Sequence, residues 1–318
     1  MDLSIIIPTY NRRQRLLNNL HSIYNQLLSK EIKIVILNNA SNYDVERAIK
    51  DEFSNEDIAN LKVINHKYNI GGALNIALPF YFCETKWLWI LGDDDESRPD
   101  SLEIIKDDIE NRSEYSIFKY SFWGEDHYNN EILSNMRDAV DYQHKTKNLW
   151  SIVYCSNAIY DMDRIRPYVG TIMDYAYSSV AAVEPIFLLL DNEDGKVILR
   201  DKRIVNYIFP ETGTCWNGLK LALRTQALWD FPFKAKGETL KQLWALDNFQ
   251  HFIDSISLPE IISDKVRCKV YFRKTFSVMC VGTNPLLKII YKIQFYILLY
   301  FHYDIHRLFN RRKDKKNS

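Results

Sequence analysis

Four short apolar runs recur through the first third of the chain, each followed by polar residues. They are 3–8 (LSIIIP), 33–39 (KIVILNN), 61–66 (LKVINH) and 87–91 (WLWIL). Each is nearly continuous in apolar residues instead of alternating, the pattern of a strand buried on both faces. Between the first two, Leu16, Leu20, Ile23 and Leu27 recur at spacings of four, three and four, which is one face of a helix. Asn11 is suited to cap that helix. Residues 43–53 (YDVERAIKDEF) repeat the helical pattern, and 71–82 (GGALNIALPFYF) begin a helix that Pro79 is expected to end or kink. Residues 97–112 (SRPDSLEIIKDDIENR) predict a further helix, with Ser97 as its cap, Pro99 in its first turn, and Leu102, Ile105 and Ile109 on one face. Strands alternating with helices predict an α/β fold: a doubly wound, mainly parallel sheet flanked by helices.

The pattern weakens after residue 112. Residues 115–123 read as a strand, 124–131 as a loop, 156–168 as a strand and a short helix, 178–190 as an apolar helix, and 196–208 as a hairpin. No repeat or low-complexity linker divides the chain. The reading is one domain with a less regular second half and a C-terminal helical extension.

Composition narrows the partners. With 47% hydrophobic residues among 318, the chain can bury a sizeable core. Its 41 basic and 41 acidic residues cancel, so nothing attracts a polyanion and no nucleic acid partner is expected. The five cysteines form no CxxC pair, which argues against a disulfide framework or zinc site and fits a reducing cytosol. The seven histidines show no HxxxH or HExxH spacing. The N-terminus reads as an immediate strand and not as a signal peptide.

In open parallel sheets, ligands sit beyond the carboxyl ends of the strands. Four polar segments fall there: PTYN after the first run, NNAS after the second, HKYNIGG after the third and GDDDE after the fourth. Asp93, Asp94 and Asp95 repel one another, so packing them at the end of a buried strand calls for a cation or a hydrogen-bond network.

The segments SIIIPTYNR (4–12), ILNNAS (36–41), NIGGALNIAL (69–78) and WLWILGDDDESRPDSLEII (87–105) together resemble the family-2 glycosyltransferases of the GT-A fold, in that family's order and spacing. The resemblance implies a nucleotide diphosphate-sugar held at the strand ends. Pro8 and Tyr10 would line the base pocket with Asn11 beside them, and Asn39 would meet the base edge. The family more often carries acids at positions 38 and 39. An amide donates as well as accepts, so Asn39 can pair with a different base edge. Uridine is the first choice, with thymidine and guanosine open. Asn69 and Gly72 would lie near the ribose and pyrophosphate. The aspartates resemble the family's DxD element, which binds metal, and Mg²⁺ or Mn²⁺ suits carboxylates shared with substrate phosphates. Pro99 sets the register, with Gly92 where the family has its first acid. Asp94 is then the metal ligand, Asp93 faces the ribose, and Asp95 supports the metal or its waters.

The resemblance further implies an inverting displacement, with a carboxylate base roughly ninety residues after the metal acid. Glu184 lies 90 residues after Asp94 and is the lone acid in YSSVAAVEPIFLLL. Asp174 and Asp191 are the alternatives. Trp123, Tyr175, Tyr177 and Trp216 are candidates for stacking on a saccharide or lipid-linked acceptor. Residues 1–112 would form the nucleotide-sugar half of the domain, 113–282 the acceptor half, and 283–318 an amphipathic, membrane-associating helix with a basic tail. The alternative for that last segment is a core or dimer-forming helix, which leaves a homo-oligomer open. The membrane reading makes the chain cytoplasmic and peripheral on the inner face of the cell membrane, where surface polysaccharides begin. A catalytically silent nucleotide-sugar-binding or scaffold subunit is the competing function, supported by Asn38, Asn39 and Gly92. The turn after the first strand, PTYNR, lacks GxGxxG and so argues against a nicotinamide enzyme.

Overall fold

The computed structural model describes residues 1–121, 128–146, 152–208, 231–234, 266, 269, 270, 272, 273 and 285–301. The first four apolar runs form β1 (Leu3–Thr9), β2 (Lys33–Asn38), β3 (Leu61–Asn65) and β4 (Trp87–Ile90). β1 pairs in parallel with β2 and β4, and β2 in parallel with β3. Between them run α1 (Arg13–Tyr24), α2 (Val45–Glu52) and α3 (Gly72–Phe82), and α4 (Ser101–Asn111) follows. Leu3, Ile5 and Ile7 share a core with Leu16, Leu20 and Ile23 of α1, Val45 and Ile49 of α2, and Leu102 and Ile105 of α4. Ile6 is equally buried on the opposite face, where α3 packs on β1 and β4. Burial on both faces is why these strands read as continuous apolar runs.

Beyond β4 the sheet becomes mixed. β8 (Ala158–Asp161) lies antiparallel between β4 and β6 (Ile117–Tyr120), β9 (Val197–Arg200) is parallel to β6, and β7 (Glu131–Leu133) closes the edge antiparallel to β9. The eight strands run in the order β3-β2-β1-β4-β8-β6-β9-β7. Within this half, wholly buried Asp108 on α4 accepts Tyr120 Oη at 3.0 Å and Arg200 Nε at 3.0 Å, and pairs with Arg112 Nη1 at 2.8 Å.

Several local expectations are corrected. Residues 196–208 are not a hairpin: β9 joins the main sheet, while β10 (Val205–Tyr207) pairs antiparallel with β5 (Asp95–Ser97), setting Tyr207 opposite Asp95. Ser97 is therefore strand and does not cap α4. Gln26, in the turn just after α1, does so instead, its Oε1 accepting Leu102 N at 2.9 Å and Ser101 Oγ at 3.1 Å. Pro99 falls before the helix. Pro79 lies inside α3, and its carbonyl still accepts Cys83 N. Asn11 does not cap α1: it sits at φ 55°, and the helix starts after Arg12.

The later helices of this half are α5 (Met136–Thr146), α6 (Met162–Ile165), α7 (Val169–Asp174) and α8 (Glu184–Asn192). Contacts group the chain into two compact units. One comprises 1–213 and 233–237, the other 214–232 and 238–318. In the second, α9 (Pro285–Phe301) buries Phe295 and Leu299, with Phe295 stacked on Phe272 at 3.7 Å. Leu286, Ile289, Ile290, Ile293 and Tyr300 of the same helix are exposed. Among the described residues no helix is long and apolar enough to cross a membrane.

Candidate active site

The ends of β1 to β4 are stitched together by backbone. Thr9 O accepts Asn39 N at 2.9 Å, Asn38 O accepts His66 N at 2.9 Å, and Ile6 O accepts Leu91 N at 3.1 Å. The loops that follow are held by amide side chains. Asn11 adopts the left-handed conformation that asparagine tolerates, and its Oδ1 accepts Asn42 N at 2.7 Å. Asn39 Oδ1 accepts Ile70 N at 2.8 Å while its Nδ2 donates to Asn69 Oδ1 at 3.0 Å. A carboxylate at 39 has no proton to give Asn69, so local packing accounts for the amide there. Asn69 Oδ1 also accepts Gly71 N at 2.8 Å, fixing a turn with Gly71 at φ 87°. At Gly72, which opens α3, an added Cβ would meet nothing within 4 Å, so the backbone is open on that side. Pro8 is half-buried in β1, and Tyr10 is exposed beside it. A polar hollow of about 630 Å³ adjoins this edge, lined by Asn38, Tyr43, Asp44, Glu46, Lys50 and Asn65 among others.

The acidic turn follows β4. Asn19, wholly buried in α1, donates to Gly92 O at 2.7 Å and Asp95 O at 2.6 Å, pinning the turn's backbone. Asp93 accepts Thr9 Oγ1 at 2.7 Å and Arg12 Nη1 at 2.8 Å. Asp94 accepts the same Arg12 Nη1 at 2.7 Å. Asp95 is buried and its Oδ1 has no partner. Burial pushes the Asp93 carboxyl up against the opposing pull of Arg12. Burial also raises Asp95 to about 7, opposed by a hydrogen bond from Ser156 and helped by the neighbouring charges of Asp94 and Asp93. Ser156 itself is fixed: its Oγ accepts Gly92 N at 2.9 Å and its carbonyl accepts Trp89 Nε1 at 2.7 Å. Beneath it, wholly buried Lys119 donates to Asn157 Oδ1 at 2.5 Å and to Tyr154 O.

These residues fit a divalent cation. A Cβ at Gly92 would meet Asp94 Oδ1 at 3.0 Å, Asp95 Oδ2 at 3.2 Å and Ser156 Oγ at 3.2 Å. Three hard oxygens thus converge where a side chain is missing, with the unpartnered Asp95 Oδ1 nearby. Among the described residues no group of three or more His, Cys, Asp or Glu is placed to hold a metal ion by itself. The donor set therefore suits an ion that takes its other ligands from phosphate and water, as Mg²⁺ and Mn²⁺ do.

The proposed acceptor side is assembled separately. Tyr175 and Tyr177 stack with ring centroids 6.4 Å apart, Tyr177 exposed, on a short turn packed against α3. Glu184 opens α8 with no exposure. Its Oε1 accepts Ser178 Oγ at 2.7 Å, its Oε2 is unpartnered, and burial raises it to about 8. Asp174 is exposed at the end of α7. Asp191 is buried, with Oδ2 accepting Lys234 N at 2.5 Å and Oδ1 unpartnered. Trp123 and Trp216 lie outside the described residues. Sequence reasoning gave no role to Arg12, Asn19, Ser156 or Tyr207. Arg12 stands inside a quoted motif, but its carboxylate partners lie 81 and 82 residues away.

A parallel strand group whose loops meet an acid-bearing turn after the fourth strand is the arrangement of the GT-A fold. The solved structures it resembles include the mannosyltransferase PcManGT of Pyrobaculum calidifontis with GDP-Man and Mn²⁺ (TM-score 0.58, 12% identical, covering 94% of this chain and 86% of that one). S. aureus TarS 1–349 is another (TM-score 0.52, 12% identical, 90% and 93%). At such identity the likeness is one of fold. Glycosyl transferase family 2 matches residues 4–167, and the chain belongs to that family. The resemblance read from residues 4–105 is thereby borne out. Abequosyltransferase RfbV of Salmonella typhimurium is 31% identical over 115 residues, 36% of this chain. The match spans about a third of that relative (34%). The family match ends before Asp174, Glu184 and Asp191.

Proposed function

We propose that this chain transfers a sugar from a nucleotide diphosphate-sugar, UDP being the first choice, to a saccharide or lipid-linked acceptor during assembly of a surface polysaccharide of the O-antigen kind. The observation that carries the reading is the convergence of the Asp93–Asp95 turn with the loops of Thr9–Asn11, Asn39 and Asn69–Gly72 on one sheet edge. RfbV is an abequosyltransferase, and TarS has been solved with UDP-GlcNAc; both support the substrate class. Asp94 and Asp95 would hold Mg²⁺ or Mn²⁺, which when bound offsets charge on the departing diphosphate. The open backbone at Gly71 and Gly72 lets the phosphates approach closely. The acceptor hydroxyl attacks opposite the leaving group, inverting the anomeric centre. A carboxylate takes its proton: Glu184, with Asp174 and Asp191 as the alternatives.

Glu184 acts as a base only once ionised, so transfer through it rises with pH through about 8. Its complete burial is also the observation that favours a catalytically silent donor-binding subunit. The exposed residues Leu286, Ile289, Ile290, Ile293 and Tyr300 recur at helical spacing along α9, and Arg311, Arg312, Lys313, Lys315 and Lys316 follow in sequence. An apolar stripe followed by a basic tail suits the anionic inner face of the cell membrane. A second copy of the chain is the other occupant of that stripe.

The test pairs donor binding with transfer. Asp94→Asn is expected to weaken Mn²⁺-dependent nucleotide binding by calorimetry and to cut turnover, with the fold intact by circular dichroism. Unchanged binding moves the ligand role off Asp94. Donor binding by the wild type without transfer to any lipid-linked acceptor supports the silent reading.

A further inference from the structure

The acids already hold a positive charge. A single nitrogen, Arg12 Nη1, lies 2.8 Å from Asp93 Oδ1 and 2.7 Å from Asp94 Oδ2. Arg15 Nη1 stands 4.0 Å from the same Asp94 oxygen. Asp93's other oxygen accepts Thr9 Oγ1 at 2.7 Å. Asp93 is thus engaged at both oxygens by the protein itself, while Asp94 has one oxygen taken by Arg12 and the other turned over Gly92.

We propose that Arg12 makes binding of the divalent cation depend on the arrival of the diphosphate. The inference rests on the donor-binding reading above. A cation held by Asp94 Oδ1 over Gly92 shares that carboxylate with Arg12 on Oδ2, so it must displace Arg12 or lie close to two guanidinium groups. Like charges at that separation repel strongly in a partly buried site. A diphosphate changes the balance. It brings negative charge and offers the planar guanidinium a bidentate partner. Arg12 then turns from Asp94 to the phosphates and leaves that carboxylate to the metal, while Thr9 keeps Asp93 in place. Cation and nucleotide each bind weakly alone and tightly together, a reciprocal coupling between the two ligands.

A purely structural clamp predicts the opposite sign. If Arg12 only held the acids in position, losing it would loosen them and weaken metal binding. If Arg12 competes with the metal, losing it strengthens binding of the metal alone.

The measurement is the electron paramagnetic resonance signal of free Mn²⁺, titrated with the full chain with and without UDP. The wild type is expected to bind Mn²⁺ at least about tenfold tighter with UDP, within the usual range of coupling between two sites. Arg12→Gln should bind Mn²⁺ alone about tenfold tighter than the wild type does, and gain correspondingly less from UDP. Arg12→Lys keeps the charge and should restore weak binding of the lone metal. The proposal is overturned if folded Arg12→Gln binds lone Mn²⁺ no tighter than the wild type. It is also overturned if the wild type binds Mn²⁺ equally well with and without UDP, a comparison that stands even where the variant fails to fold. Should UDP, GDP and dTDP all fail to bind, the donor reading falls, while lone Mn²⁺ on the wild type and Arg12→Gln still decides whether Arg12 and the metal compete.

Discussion

At the scale of single residues, Glu184 is the most exacting test of the chemistry. Its carboxyl keeps its proton from the ordinary 4.5 up to about 8 because burial disfavours the charge. Between those values the folded chain holds a proton that the unfolded chain has released. The stabilisation is therefore complete below about 4.5 and is lost as pH rises through about 8. Glu184→Gln mimics the protonated form and should remove that dependence. In urea denaturation the two proteins are expected to match near pH 5, with the wild type the less stable by pH 9. Parallel curves would mean that Glu184 is hydrated. In transfer assays the same variant should lose roughly 10²- to 10⁴-fold if Glu184 is the base. The aspartates at the end of β4 are legible from order and spacing alone. The roles of Arg12 and Asn19 are not, since their partners lie more than 70 residues away and nothing local marks an arginine or asparagine as the partner of a distant turn.

At the scale of elements, legibility follows burial. The first four strands announce themselves because both faces are covered. Residues 196–208 fit a hairpin equally well by pattern, and only the pairing of Val205–Tyr207 with Asp95–Ser97 separates β9 from β10. The start of α4 misleads for a similar reason: Ser97 has capping chemistry, but Gln26 supplies the contact from the turn after α1. α9 carries a prediction of its own. Its exposed stripe and the basic residues beyond it should bring the full chain down with liposomes containing anionic lipid, and salt should weaken that binding. Ile290→Glu combined with Ile293→Glu should leave the protein in the supernatant. Sedimentation that is indifferent to the substitutions and to lipid charge excludes this face. A change from dimer to monomer in the variant assigns the stripe to a second copy.

At the scale of the whole molecule, donor binding should register as stability. A ligand that binds only the folded chain adds about 2.7 kcal/mol at a hundredfold excess over Kd, enough to raise Tm by several degrees. With Mn²⁺ present, the matching nucleotide among UDP, GDP and dTDP is expected to give the largest rise, and EDTA should reverse it. Equal shifts for all three would mean that the strand-end amides do not read the base. The grip of α1 on the acidic turn has a consequence for recombination between relatives. Arg12, Arg15 and Asn19 ride on or just before one rigid helix, and between them they set the charge and the backbone position of residues 92–95. A chimera that imports a foreign segment 87–97 without its matching 12–19 would receive the ligands but not their holder. The transplantable unit of this site is therefore two stretches of chain, separated in sequence and inherited together.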